Sequence, residues 1–406
     1  MRTVAQCAAA LALLAGPGGC GAPSEAALDS TPWLVAGDTI VGEEVGSSLP
    51  PAVAAVSSIA QSDSSPPVQP APQPAPAEPQ SDDRRSNSAG MEPSPDPKPH
   101  RWWEEDPTGA GPGPDAVEIV QNFEHFLEYD GWLRRYLVHV PRNYDGVTDM
   151  PVVIGLHGGL GRAELQRAMS RMNFVADEGD FIAVYPDGTG PTVEIDGQPI
   201  ALLTWNAGGC CGFAQQHGVD DVGFIGALLD DLAARYAMNP RRVYATGISN
   251  GAMLAYRLAA ELSERIAAIA PVAGPMMVNP PAPPRAVPVM HFHGLADQHV
   301  PFEGGIGEDA IIPVDFPPVL ETIGWWVEVN GCAAEPVVSE GQDYIRLEFA
   351  PQSDGGAPVV LYELPEGGHT WPGGVDVTAD LGTGELIESV DASRLMWAFF
   401  QQFELP

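Results

Sequence analysis

The stretch RVYATGISNGAMLAYRL, residues 242–258, decides the fold of this chain. The run VYA that starts at Val243 is β-branched and aromatic and fits a buried strand, whereas the residues after the second glycine are strong helix formers. Ser249 therefore lies at the corner where the strand gives way to the helix. Gly247 and Gly251 flank it, as expected where a side chain would obstruct a tight turn.

A serine at such a corner has the position of a catalytic nucleophile. The turn exposes its hydroxyl, and the N-terminus of the following helix offers free backbone N–H groups to an oxyanion. The pattern Gly-x-Ser-x-Gly alone is weak evidence, because 45 glycines among 406 residues make chance matches common. The strand before it and the helix after it predict that Ser249 is catalytic.

Strands alternate with helices along the second half of the chain, which indicates an α/β fold with a mostly parallel sheet and helices on both faces. The apolar run at 151–156 ends in a loop that begins at His157, as expected of a buried strand. Further strands are predicted at 132–140, 181–185, 243–245, 267–272, 287–292, 344–349 and 359–364. Helices are predicted at 162–176, from near 220, from 252 and at 392–402. One domain is expected to span residues 116–406.

Two segments precede this domain. Residues 1–20 have the basic start, apolar centre and small residues of an export signal that is too short to span a membrane. Cys20 follows two small residues, as in a bacterial lipoprotein signal, but Pro17 departs from the usual aliphatic residue, so lipidation and ordinary cleavage are both open. Residues 21–115 are rich in proline, serine and alanine and are predicted to be a disordered linker. We therefore expect an exported protein, either extracellular or anchored at the cell surface.

Charge excludes some partners. The chain has 19 basic and 54 acidic residues and a formal net charge of −35. Nucleic acids and anionic membrane surfaces repel such a protein, so no nucleic-acid partner is expected, and membrane contact only through a lipid at Cys20.

Three cysteines would remain in an exported chain lipidated at Cys20, namely Cys210, Cys211 and Cys332. Export permits a disulfide, and three pairings are open: Cys210–Cys332, Cys211–Cys332 and the vicinal Cys210–Cys211. The spacing does not match a zinc site, and no metal is expected.

Partners for Ser249 follow it in the chain order Ser, acid, His that is usual for such sheets. Asp297 lies just beyond the strand predicted to end at residue 292, and His369 lies after the strand that ends near residue 364. A serine hydroxyl is a weak nucleophile at neutral pH, so an imidazole must take its proton and a carboxylate must fix the imidazole's tautomer. Asp297 is also a plausible turn residue, with Asp315 and Asp354 as reserve candidates.

Two backbone N–H groups are expected to form an oxyanion hole. One belongs to Asn250, and the other to Gly158, Gly159 or Leu160 in the loop after the strand at 151–156. The candidates for contact with the substrate are His157, Trp205 and Trp371. The two tryptophans are equally expected in a core.

These motifs together resemble those of the secreted esterase family that contains polyhydroxybutyrate depolymerases and bacterial and fungal feruloyl esterases. The matching segments are HGG at 157–159, WNAG at 205–208, CCG at 210–212, VDDVGF at 219–224, TGISNGAM at 246–253, HG at 293–294 with Asp297, and GHTWPG at 368–373. The resemblance implies an α/β-hydrolase fold, no cofactor, no metal, and Ser249, Asp297 and His369 as the triad.

The resemblance leaves two ester substrates open, feruloylated cell-wall polysaccharide and the polyester poly(3-hydroxybutyrate). Extracellular depolymerases of the family commonly carry a polymer-binding module, and no segment looks like one, which favours a cell-wall or small aryl ester. A third alternative is a non-catalytic relative that binds a ligand at the cell surface. The presence of a serine, an acid and a histidine in the expected order argues against that alternative.

Overall fold

The computed structural model describes residues 121–195, 198–378 and 381–406. Its strands are β1 (Asn122–Tyr129), β2 (Trp132–His139), β3 (Met150–Leu156), β4 (Ile182–Pro186), β5 (Thr192–Ile195), β6 (Gln198–Ala201), β7 (Met238–Ile248), β8 (Ala268–Val272), β9 (Val289–Gly294), β10 (Val337–Glu340), β11 (Ile345–Phe349) and β12 (Val359–Leu364). The expected export signal at 1–20, the lipidation candidate Cys20 and the linker at 21–115 lie outside the described residues.

The helices of the described ranges cover both faces of the sheet. They are α1 (Ala163–Ser170), α2 (Met172–Gly179), α3 (Gly212–Gln216), α4 (Asp221–Arg235), α5 (Asn250–Glu261), α6 (Val319–Val329) and α7 (Ala392–Phe400). Within these ranges, none of the helices combines the length and the apolar character that crossing a membrane requires.

Ten strands form one sheet in the order β1-β2-β4-β3-β7-β8-β9-β12-β11-β10. The six strands from β4 to β12 in this order run parallel, and antiparallel strands extend the sheet at both edges. This is the sheet order of an α/β-hydrolase, and the predicted fold class is confirmed. Strands β5 and β6 form a separate hairpin.

The central strands are buried on both faces because each face carries helices. In β3, Val152 and Ile154 belong to the core on the side of α4, α5 and α6, whereas Val153 belongs to the core with α1, α2 and α7. The carboxyl ends of the parallel strands lie at one edge of the sheet, where loops bring distant residues together.

Several elements differ from the expectation, because β1, β5, β6, β10, α3 and α6 were not predicted and one predicted helix is divided. The helix predicted at 162–176 is two helices, because Arg171 adopts a left-handed conformation with φ of 52°. Helix α6 was not predicted, since its sequence VLETIGWWVEV is rich in the β-branched and aromatic residues typical of strands. Burial of Ile323 and Trp326 in the core stabilises this helix against its local preference.

Candidate active site

Ser249 occupies a strained corner between β7 and α5. Its backbone has φ of 57° and ψ of −124°, and its N–H donates to the carbonyl of Val272 at 2.9 Å. A Cβ on Gly247 would stand 2.6 Å from the carbonyl oxygen of Leu156, and one on Gly251 would collide with the same atom. Both glycines are therefore required because the end of β3 packs directly against the turn.

Asp297 and His369 meet at the same edge of the sheet. Asp297 follows β9, His369 follows β12, and Oδ2 of the carboxylate accepts a hydrogen bond from Nδ1 of the imidazole at 2.7 Å. Oδ1 accepts the backbone N–H groups of His299 and Val300, both at 2.9 Å. Because Nδ1 carries the proton of this bond, Nε2 of His369 is left as the basic nitrogen.

The environment of Asp297 favours its ionised form. Burial alone would raise the pKa of this carboxyl, but His369, His293 and the N–H of Val300 outweigh that effect and hold the pKa below its ordinary value. The reserve candidates Asp315 and Asp354 are exposed, and neither has a hydrogen bond to His369 within the described ranges.

Ser249 and His369 line one cavity at the carboxyl edge of the sheet. Gly158 and Gly159 lie beside the serine: a Cβ on Gly158 would stand 3.5 Å from Cβ of Ser249, and one on Gly159 would stand 3.7 Å from Cβ of Asn250. Within the described part of the chain, the backbone N–H groups of Gly159 and Asn250 donate to no acceptor. Two free donors thus border the serine, the arrangement that an oxyanion hole needs.

His157 lines the cavity, but its ring is occupied by backbone hydrogen bonds. Nδ1 donates to the carbonyl of Gly158 at 2.7 Å, and Nε2 accepts the N–H of Gly188 at 2.9 Å. The side chain is buried, and burial lowers the pKa of His157 to about 4. His157 is thus a neutral histidine that holds the loop at Gly158 in place, and its contact with the substrate stays a prediction.

Stability is expected to decrease as the pH is lowered from 6.5 toward 4. His157 has a pKa near 6.5 in the unfolded chain and about 4 in the folded one, so within this window only the unfolded chain binds the proton. This histidine then lowers the free energy of unfolding by about 1.4 kcal/mol per pH unit. The measurement is the Tm of the wild type and His157→Gln between about pH 7.5 and about pH 4.5.

The Tm of His157→Gln is expected to depend less on pH than the Tm of the wild type, but part of the dependence should remain. Burial also lowers the pKa of His139, His291 and His293, so these groups act in the same direction. Equal slopes of Tm against pH in the two proteins would contradict the role assigned to His157.

Of the two positions left open for the tryptophans, cleft wall or core, the structure shows the core. Trp205 is fully buried, and its Nε1 donates to the carbonyl of His157 at 2.9 Å. Trp371 is 1% exposed and donates to Oγ of Ser393 at 3.0 Å. Neither lines the cavity of Ser249, because these long-range bonds draw both rings into the core. The backbone of Trp205 also pairs with both ends of the Asn250 amide, which fixes the start of α5.

Of the three cysteine pairings left open, the structure brings together the sulfurs of the neighbouring Cys210 and Cys211, so the vicinal pairing stays a prediction. Cys211 lines the cavity. Cys332 is a buried free thiol that donates to the carbonyl of Ala357 at 3.0 Å. The pairings with Cys332 are therefore not present.

A buried ion pair that was not predicted from the sequence holds the loop of Trp205 and Asn206. Arg134 in β2 donates to Oδ1 of Asp221 in α4 at 2.7 Å, and both side chains are almost fully buried. Oδ2 of Asp221 accepts the N–H of Asn206, and the guanidinium lies 3.8 Å from the ring centroid of Phe224. This pair anchors the loop that contains Trp205. Asp221 lies in the VDDVGF segment at 219–224, but its buried partner Arg134 is more than 80 positions away in the chain.

A second missed residue, Gln166, lines the cavity from α1. It shares the buried face of that helix with Ala163 and Ser170. A polar residue on this face, at helical spacing from a buried alanine, was the available signal.

Comparison with known proteins gives matches to esterases. A family model described as Esterase PHB depolymerase matches residues 135–300, a segment that includes Ser249 and Asp297 and ends before His369. The esterase NocK of Nocardia uniformis subsp. tsuyamanensis is 29% identical over 265 residues, which are 60% of this chain and 72% of that protein. Feruloyl esterase B of Piromyces equi is 26% identical over 282 residues, 67% of this chain and 46% of the relative, so the match spans less than half of that protein.

Among solved structures, the acetyl xylan esterase from Aspergillus awamori superposes with a TM-score of 0.43 and 16% sequence identity, over 66% of this chain and 94% of that one. The family model and the two relatives are all esterases, in agreement with the motifs around Ser249. The chain is therefore similar to the family of polyhydroxybutyrate depolymerases and feruloyl esterases, and it is a carboxylic ester hydrolase.

Proposed function

We propose that the protein hydrolyses feruloyl esters of plant cell-wall polysaccharides through an acyl-enzyme formed on Ser249. The proposal rests on one observation. Ser249, in a strained backbone conformation, and His369 line the same cavity, and Asp297 is hydrogen-bonded to the imidazole of His369. A serine held at positive φ at the head of a helix has its hydroxyl presented to solvent and to free backbone donors.

The reaction has two steps. Nε2 of His369 takes the hydroxyl proton as Ser249 attacks the ester carbonyl, and the developing oxyanion is stabilised by the N–H groups of Asn250 and Gly159. The imidazolium then returns the proton to the departing alcohol. Water, deprotonated by the same nitrogen, hydrolyses the acyl-enzyme and releases the acid. Asp297 stabilises the imidazolium and keeps the imidazole in the required tautomer throughout.

The apolar character of the cavity walls supports an aromatic acyl group in the substrate. The cavity walls are mostly apolar, with contributions from Leu165, Met169, Met253, Ile312 and Phe316. Such walls favour burial of an aromatic acyl group, and one relative is itself a feruloyl esterase. Poly(3-hydroxybutyrate) is the second candidate substrate because the matching family model has a depolymerase in its name.

The organisation around the catalytic domain is part of the proposal. We infer that residues 116–406 form the catalytic domain, that the linker at 21–115 separates it from an export signal, and that the mature protein works outside the cytosol. An oxidising location would also maintain the Cys210–Cys211 disulfide at the cavity wall.

The test compares hydrolysis of methyl ferulate with clearing of suspended poly(3-hydroxybutyrate) by the full-length protein. Ser249→Ala serves as the blank for both substrates. A fluorophosphonate probe reports separately whether an activated serine is present. We expect release of ferulate, no clearing of the polymer, and labelling of Ser249 that is lost in His369→Ala.

The other outcomes separate the alternatives. Clearing of the polymer without release of ferulate would assign the protein to the depolymerases. Absence of both labelling and hydrolysis would favour the non-catalytic binding protein. Labelling that persists in His369→Ala would exclude this histidine as the base.

A further inference from the structure

The cavity that contains Ser249 and His369 also contains an amide that the proposed mechanism does not use. Gln166 lines the cavity and is only 1% exposed. Neither its Nε2 nor its Oε1 has a hydrogen-bond partner among residues 121–195, 198–378 and 381–406. Buried amides are almost always paired, because an unpaired one loses its hydrogen bonds to water without replacement. An unpaired amide on a residue that lines the substrate cavity is therefore a candidate partner for a polar group of the substrate.

The aliphatic part of the Gln166 side chain is closely packed. Its Cγ lies 3.4 Å from the point where a Cβ on Gly155 would stand, and the ring of Tyr185 approaches the same point at 3.1 Å. The hydroxyl of Tyr185 donates to Oδ1 of Asn173 at 2.7 Å, which fixes the ring. A glycine near the end of β3 thus provides the space for the aliphatic part of this side chain.

The rest of the cavity defines what the amide can recognise. Its described lining residues include no Lys, Arg, Asp or Glu, so none of them would offer a counter-charge to a charged group on the substrate. An amide offers one donor and one acceptor side, which matches a neutral hydroxyl. The apolar walls match the ring that carries this hydroxyl. A polysaccharide is too polar for these walls and is expected to stay in solvent, which assigns the cavity to the acyl group.

We propose that Gln166 determines specificity by hydrogen-bonding the phenolic hydroxyl of a hydroxycinnamoyl acyl group, an inference that rests on the proposed esterase function. The amide oxygen accepts the phenol proton or the amide N–H donates to the phenol oxygen, and the aromatic ring lies between Gln166 and the reacting carbonyl. An acyl group without the hydroxyl leaves the amide unpaired and is bound less well.

The test uses two substrates that differ by one hydroxyl, methyl 4-hydroxycinnamate and methyl cinnamate. We expect the full-length wild type to prefer the hydroxylated ester by about 10- to 100-fold in kcat/KM. Gln166→Met keeps the volume of the side chain and removes the amide, and it is expected to reduce this preference to within about threefold. Gln401→Met, the same change at an exposed position after α7, is the matched control and should keep the wild-type preference.

Folding is checked by the Tm, which Gln166→Met should keep close to that of the wild type. An unchanged preference in Gln166→Met would overturn the proposal. Equal loss of both activities together with a lower Tm would also overturn it, since the amide would then be structural. If the wild type labels with fluorophosphonate but hydrolyses neither aryl ester, the proposed substrate class itself fails, and this outcome is distinct from the other two.

Discussion

Replacing Ser249 by alanine is expected to lower kcat for ester hydrolysis by about 10⁵- to 10⁶-fold. The change removes the only atom that can form the acyl-enzyme in the proposed mechanism, and His369 then has no hydroxyl to deprotonate. Alanine should be tolerated at the corner, because Ala273 adopts φ of 51° in the same structure. The loss of activity should therefore occur without loss of the fold.

The measurement is single-turnover and steady-state hydrolysis of methyl ferulate, with the Tm as the check on folding. Ser353→Ala, at an exposed serine in the loop before β12, is the matched control and should keep wild-type kcat. Residual activity above about 1% of the wild type in Ser249→Ala, with contaminating esterase excluded by the probe, would exclude Ser249 as the nucleophile.

Replacing Asp297 by asparagine is expected to lower kcat by about 10⁴-fold, the size found for this change in Ser-His-Asp enzymes. The backbone N–H groups of His299 and Val300 both point at Oδ1, so the amide oxygen must take that position. The amide nitrogen then faces Nδ1 of His369, 2.7 Å away in the wild type. Two N–H donors cannot form a hydrogen bond with each other. The proton of the imidazole therefore moves from Nδ1 to Nε2.

With the proton on Nε2, His369 can no longer accept the proton of Ser249. KM should change little, because Asp297 does not line the cavity. The matched control is Asp315→Asn, which places the same change at an exposed carboxylate and should leave kcat unaffected. A loss below about tenfold in Asp297→Asn, or an equal loss in Asp315→Asn, would show that another group orients the imidazole.

Local sequence patterns predicted the parts of this protein that depend on few neighbouring residues. The corner at Ser249 follows from a strand, two glycines and a helix within 17 positions. The order of Asp297 and His369 after it, each in a loop behind a strand, follows from the direction of a parallel sheet. These features depend on the conformation of the backbone. Residues close together in the sequence set the conformational preferences of the backbone.

The orientation of individual side chains depends on tertiary packing. Trp371 was a candidate for the cleft, but its indole reaches Ser393, whose hydroxyl in turn donates to the carbonyl of Ser170, 223 positions away in the chain. Gln166 is a polar residue on the buried face of α1, and nothing in the local sequence shows that this residue lines a cavity. The amino-acid sequence alone predicts the alternation of strands and helices and the residue types in the loops at the carboxyl edge of the sheet. Tertiary packing decided which of those side chains are buried and which line the cavity, because burial depends on contacts between residues far apart in sequence.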